Sequence, residues 1–250
     1  MLFPKINISG FTLFSFRNID EAARCIIQEK KIAVSVNAEV LVNDHAAMKE
    51  IINAGIGYAD GVGAVLSAQA CGYADLKKIA GVELWLEVLR TYGAGSIYLI
   101  GAKPEVVGRV AQRIEQEYPR LRVAGFSDGY FNTEQQEALC RDIVQQRPDI
   151  VVIATGQPRQ ELLAKQISQQ HQAIFLCVGG AFDVYAGLCK RAPEWLIKLK
   201  LEWLYRLVQN PSRYKRYMKL FQLFPLLLQL RLHRSVFPTL PKNPSDINVH

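Results

Sequence analysis

Short, almost wholly apolar runs alternate with longer stretches of helical spacing along most of this 250-residue chain, and that alternation limits what it can fold into. The runs are Ile32–Val36, Ser96–Ile100, Asp149–Thr155 and Ala173–Val178; the helical patterns are Asp44–Ala54, Val82–Tyr92, Glu105–Tyr118, Glu134–Gln146 and Arg159–Gln169. A strand that is apolar on both sides is covered on both faces, and strands that alternate with helices end up parallel. The expectation is an α/β fold: a Rossmann-like open, mostly parallel sheet with helices on both faces. Thr133 and Gln136 have capping-box spacing, which predicts a helix start there. Near Ala192-Pro193 the pattern turns to helices alone. The expected organisation is an α/β domain over 1–191, a helical basic C-terminal appendage over 192–236 and a loose tail over 237–250.

Half of the residues are hydrophobic and 21% are charged, enough apolar surface for a full core. The five cysteines (25, 71, 140, 177 and 189) are odd in number and lack metal-type spacing, which reads as reduced packing thiols in a cytosolic protein. Pro4, Lys5, Asn7 and Arg17 interrupt the N-terminal apolar residues, a poor match to a signal peptide. Charge is distributed unevenly. From Lys190 to Arg234, eleven Lys and Arg stand against Glu194 and Glu202, a local +9; the whole chain carries +7, which leaves −2 for the rest. Trp195, Trp203, Tyr205, Tyr214, Tyr217, Phe221 and Phe224 are interleaved with that charge. Such a segment fits an anionic membrane surface, with nucleic acid as the rival polyanion. Met218–Leu232 is too short and too polar to span a bilayer, so contact with a membrane would be peripheral.

Open parallel sheets bind ligands at the carboxyl ends of their strands. Five polar or glycine-rich segments follow strand-like runs: Asn37-Ala38-Glu39, Asp60 to Gly63, Gly101 to Pro104, Gly156 to Glu161 and Gly179 to Asp183. Glycine permits close backbone approach to an anion, and a helix N-terminus favours negative charge. Any one of these segments reads as an ordinary βα turn. Five at one edge point to a phosphate-bearing ligand, with Gly101, Lys103, Gly156, Gly179 and Gly180 as candidates for a nucleotide loop.

The ordered series Val36-Asn37-Ala38-Glu39, Tyr58-Ala59-Asp60-Gly61, Ala80-Gly81-Val82-Glu83-Leu84-Trp85, Ile100 to Glu105, Asp128-Gly129-Tyr130-Phe131, Gly156 to Glu161, Val178 to Val184 and Leu201 to Leu207 resembles the WecG/TagA/CpsF glycosyltransferase family. The likeness runs from about Val34 to Tyr217. It implies an inverting, metal-independent enzyme without a cofactor. The implied donor is a UDP-sugar of the N-acetylmannosamine type, with N-acetyl-D-mannosaminuronate as the first expectation. The implied acceptor is a polyprenyl-diphosphate lipid, undecaprenyl-diphosphate-linked GlcNAc, at the inner face of the plasma membrane. Region 1–191 would then be the nucleotide-sugar-binding catalytic domain.

An inverting transferase needs a base near the acceptor hydroxyl and positive groups or donors for the departing UDP. The resemblance makes Asp60 that base; the residues alone allow it equally to cap the following helix. It assigns Ser35, Asn37 and Gln160 to the donor sugar or the acceptor. It places Arg206, Arg213 and Arg216 on the diphosphate of the lipid or of UDP. Lys78 departs from the family pattern, which has Arg three residues before the glycine matching Gly81. Lysine keeps the charge and loses the planar two-point grip. No Asp-x-Asp occurs, and the histidines at 45, 171, 233 and 250 have no metal or catalytic spacing, so no metal is expected.

Three alternatives stay open at this point. A same-family transferase could carry a neutral sugar, glucose or N-acetylmannosamine. A nicotinamide enzyme would use Gly55, Gly57 and Gly61, but that spacing is wrong for a dinucleotide loop. A nucleic-acid binder would use the basic appendage and would leave the strand-end segments without a role, so no nucleic-acid partner is expected. A homo-oligomer is compatible with every reading.

Overall fold

A computed structural model of the chain describes residues 3–43, 45–188, 193, 205 and 223–236. A short antiparallel hairpin comes first, β1 (Lys5–Ile8) and β2 (Phe11–Phe14). Ser9 and Gly10 both have positive φ, 52° and 82°, as a two-residue turn matched to strand twist requires. Six strands then form one parallel sheet: β3 (Ile32–Val36), β4 (Ile56–Ala59), β5 (Gly95–Gly101), β6 (Leu121–Ser127), β7 (Ile150–Ala154) and β8 (Ile174–Cys177). Their spatial order is β4-β3-β8-β7-β5-β6. Every residue of β4, β7 and β8 is buried, which explains their unbroken apolar sequences.

Helices cover both faces. On one face α1 (Ile19–Glu29), α5 (Gly81–Tyr92), α6 (Pro104–Glu117) and α9 (Ala181–Tyr185) pack on Ala33, Tyr58, Leu99, Val152 and Leu176. On the other, α7 (Thr133–Gln146) and α8 (Arg159–Ser168) pack on Ile100, Ile153 and Cys177. The same face continues under Val34 and Val36, where the hairpin, α2 (Ala38–Asn43), α3 (Ala46–Ala54) and α4 (Gly61–Cys71) lie. This is the α/β fold read from the alternation, an open parallel sheet with helices on both faces. The helix start expected from Thr133 and Gln136 lies one residue earlier. Asn132 accepts from the Gln135 backbone N–H, and the Gln135 side chain accepts from the Asn132 N–H. Asparagine accepts as well as threonine at that position and here holds the extended backbone of an N-cap.

A last helix, α10 (Leu223–Val236), returns to the body and packs on α4. Leu223 is buried, and Leu226 and Leu230 join the cluster under the hairpin. Phe224, Leu228 and Leu232, one turn apart from each other, are more than half exposed. No helix among the described residues is long and apolar enough to cross a membrane. Lys190, Arg206, Arg213 and Arg216 lie outside the described residues.

β5 and β7 approach each other closely at Gly101. Gly101 ends β5 at φ 128°, and a Cβ there would come within 2.5 Å of the Ala154 backbone. Positive φ and a backbone clash both penalise alanine, so Gly101→Ala should cost about 2 kcal/mol or more. Urea denaturation of the full chain checks this; unchanged stability would mean that β5 and β7 can separate freely.

Candidate active site

The carboxyl ends of all six strands share one edge, and the strand order sets which loops meet there. Along it lie, in order, Asp60, Asn37, Gly179-Gly180, Gly156-Gln157, Ala102-Lys103 and Asp128 to Tyr130. The helix after β5 covers one face and the helix after β7 covers the other, so the chain diverges between these neighbouring strands. Such a switch point opens a crevice, the usual ligand position in this architecture. A cavity of about 320 Å³ also opens at the opposite edge, among Lys31, Glu50 and Lys165. It faces the amino ends of the strands and contains none of the candidate residues.

Asp60 follows β4 and occupies the N-cap position of α4, yet its side chain makes no capping hydrogen bond. A Cβ on Gly81, the first residue of α5, would stand 3.3 Å from Asp60 Oδ2 and 2.8 Å from the Tyr58 hydroxyl. Glycine at 81 therefore lets the α5 N-terminus approach both groups. The Asp60 carboxylate sits at the N-termini of two helices, where backbone dipoles favour negative charge. Tyr58 is buried beneath it. Burial first, then the negative charge of Asp60, pushes its hydroxyl well above the usual tyrosine range, against a hydrogen bond with Ser35. Tyr58 thus remains a neutral phenol. Lys78 is exposed nearby, since the next residue, Ile79, donates its N–H to the Ala59 carbonyl just before Asp60.

A second group joins β3 to β7 across the intervening β8. Gln157 Nε2 donates to the Ser35 carbonyl at 3.0 Å, and Asn37 Nδ2 donates to Gln157 Oε1 at 3.3 Å. Asn37 Oδ1 accepts from the Val40 N–H at 3.1 Å and so opens α2. Gln160 is buried below them. Its Oε1 accepts the N–H of Gly179 at 2.9 Å and of Gly156 at 3.3 Å. The Gly156 and Gly179 amides therefore point inward. Both residues have positive φ, 86° and 55°, and a Cβ on either would meet open space.

Arg159 opens α8 and holds the loop after β6. Its two terminal nitrogens donate to the carbonyls of Gly129 and Phe131, each at 2.9 Å, and its guanidinium lies 4.2 Å from the centre of the Phe131 ring. Gly129 N–H donates to the Ala102 carbonyl at 2.9 Å, which ties this loop to the one after β5. Tyr130 between them is 70% exposed, a free aromatic face at the ligand edge.

Of the residues singled out in the sequence, Ser35, Asn37, Asp60, Lys78, Gly101, Lys103, Gly156, Gln160, Gly179 and Gly180 gather at this edge or just beneath it. The three arginines of the appendage fall outside the described residues. Sequence reasoning passed over Tyr58, Gln157 and Arg159 as individual groups, although all three lie in motifs it had marked. Among the described residues no group of three or more His, Cys, Asp and Glu is placed to hold a metal ion.

The chain matches the glycosyl transferase WecG/TagA/CpsF family over residues 6–236 and belongs to it. The protein is therefore a glycosyltransferase, with a sugar donor and an acceptor as its substrates.

Arg159 offers a test of how the edge is built. Arg159→Ala removes two hydrogen bonds and a ring contact from the 128–131 loop. Amide exchange over 128–132 should rise by about tenfold, the equivalent of one lost charged hydrogen bond, with β7 unchanged. Equal exchange in both proteins would show that the loop holds itself.

Proposed function

We propose that this glycosyltransferase moves an N-acetylmannosamine-type sugar, N-acetyl-D-mannosaminuronate in the first instance, from UDP to a polyprenyl-diphosphate-linked GlcNAc. The observation that carries the reading is Asp60. It sits at the ligand edge beside the N-termini of α4 and α5, with Oδ2 close to Gly81, where a carboxylate can reach an acceptor hydroxyl. In the proposed step Asp60 takes the proton from the acceptor hydroxyl. That oxygen attacks the anomeric carbon, the bond from that carbon to the UDP oxygen breaks, and UDP leaves from the opposite face with the bonding pair. Configuration inverts. Tyr130 offers its exposed ring to the uracil base, and Lys103 at the head of α6 stands beside the diphosphate. Ser35 and Asn37 hold the sugar side of the crevice, and Gln160 supports it from below. The leaving diphosphate is neutralised by cations of the protein, those of the appendage included, without a metal.

The direct test is a donor screen against a soluble short-chain diphosphate-GlcNAc acceptor in EDTA, read by product mass. UDP-N-acetylmannosaminuronate should outpace neutral UDP-sugars by about tenfold or more, on the scale of one charged hydrogen bond. Lys78 supports a second reading. Where the family has arginine, lysine cannot grip a carboxylate at two points, which favours a neutral sugar. Preferential transfer of N-acetylmannosamine or glucose would select that reading. In either case Asp60→Asn should keep UDP binding and reduce turnover by about 10²–10⁴-fold. Near-normal turnover in a folded Asp60→Asn protein would remove Asp60 from the mechanism.

The appendage is proposed to dock on the anionic inner face of the plasma membrane. Support comes from the local +9 and from the outward Phe224, Leu228 and Leu232 of α10, whose opposite side is anchored on α4. Each basic residue near such a surface contributes about 1 kcal/mol before screening by salt. Binding to vesicles containing phosphatidylglycerol should weaken in high salt and fall further in Phe224→Glu/Leu228→Glu. Salt-insensitive binding to neutral vesicles alone would overturn the electrostatic part.

A further inference from the structure

Beneath the crevice lies a carboxyl group with no role in the proposed transfer. Glu161, in the first turn of α8, is completely buried. Its Oε1 accepts a hydrogen bond from Gln160 Nε2 at 2.8 Å, and its Oε2 is buried without a hydrogen-bond partner. An ionised oxygen in that state would be costly, and the contact the carboxyl does make is through its other oxygen. That other oxygen fixes the Gln160 amide. Gln160 Oε1 must face the N–H groups of Gly156 and Gly179, because the reversed amide would set its NH₂ against two N–H donors and its oxygen against the Glu161 oxygen that now accepts from it. With Nε2 held by Glu161, the amide has one orientation. Gly156 follows β7 and Gly179 follows β8, so this one side chain bridges the ends of two neighbouring strands.

We propose that Glu161 is a positioning residue: by orienting Gln160 it clamps the loops after β7 and β8 together and so sets the shape of the donor crevice. The clamp includes Gln157, since the loop from Gly156 carries the side chain that reaches Ser35 and Asn37. A shift at Gly156 is thereby passed to the β3 side of the site. Burial raises the Glu161 carboxyl above its usual range, opposed by the Gln160 amide and then by its own backbone N–H and the Gln157 side chain, and a neutral acid at this place needs no counter-charge. An uncharged side chain of the same shape should therefore serve as well.

The proposal rests on the donor reading only for its effect on the crevice, and its test separates the two. Full-length Glu161→Gln keeps an acceptor for Gln160 and should bind UDP within about threefold of the unmodified protein, the allowance for a shape-conserving change. Glu161→Met keeps the volume, buries no charge and removes the acceptor. It should fold, weaken UDP binding by about tenfold or more in calorimetry, and speed amide exchange at Gly156 and Gly179 with exchange in β5 unchanged. Gln160→Met, which removes the acceptor of the two glycine N–H groups with Glu161 in place, should reproduce that pattern and decides the matter if Glu161→Met is unfolded. Unmodified exchange at Gly156 and Gly179 in the folded methionine variants overturns the clamp. So does a uniform rise in exchange across the sheet, which is what a merely structural role would give. Exchange is read without substrate: an unmodified protein that binds no UDP would overturn the donor reading, and the exchange data would still decide the clamp.

Discussion

Covering both faces of a parallel sheet leaves one place for a polar site. Once β3, β4, β5, β7 and β8 are sealed by helices and the hairpin, side chains of their central residues have no access to water. The strand ends are where backbone groups run out of ladder partners and where helices begin. The chain answers with two devices. Asn37, Asn132 and Asp60 stand at helix starts, and glycines at 101, 156 and 179 take backbone conformations that turn the chain away from its strand. The site is thus a consequence of how the core is closed: the groups that end strands cleanly are the groups that face a ligand.

Much of this could be read in advance, and the limits have physical causes. β3, β5, β7 and β8 announce themselves because each is almost wholly apolar, as a strand covered on both faces must be. β6 does not. It is an edge strand, its pattern includes Arg122 and Gly125, and most of its residues are partly exposed, so it carries no apolar run. The hairpin Lys5–Phe14 has strands of four residues, too short for a periodic signal. In α1 the buried positions are Ala22, Ala23, Cys25 and Ile26, mostly small, between acidic and basic neighbours that mask the apolar face.

At the site the division is similar. Asp60, Asn37 and the glycine segments were legible because they follow strands. Gln157 was not, because its meaning lies in a partner 120 residues away, and only the strand order puts β7 two strands from β3. Tyr58 looked like core, and it is core. Its second role, facing Asp60 and Ser35, depends on which end of β4 lies at the crevice. Gly81 is the instructive case: the sequence marked it by resemblance alone, and the structure supplies a reason, the closeness of the α5 N-terminus to Asp60 and Tyr58.

The same geometry bears on what the proposed basic appendage would contribute. A departing diphosphate requires positive charge or free N–H donors close to its oxygens. Two of the strand-end glycines expected to serve this purpose, Gly156 and Gly179, already donate their N–H groups to Gln160. Arg159 stands at the head of α8, but its terminal nitrogens are committed to the carbonyls of Gly129 and Phe131. Two lysines, Lys78 and Lys103, also stand at this edge, point charges on long side chains without the two-point grip of a guanidinium. A diphosphate held by lysines alone would be loosely placed. Under the proposed function, arginines of the segment 192–236 would supply planar donors, and supplying them only on a docked protein would confine transfer to a lipid-borne acceptor.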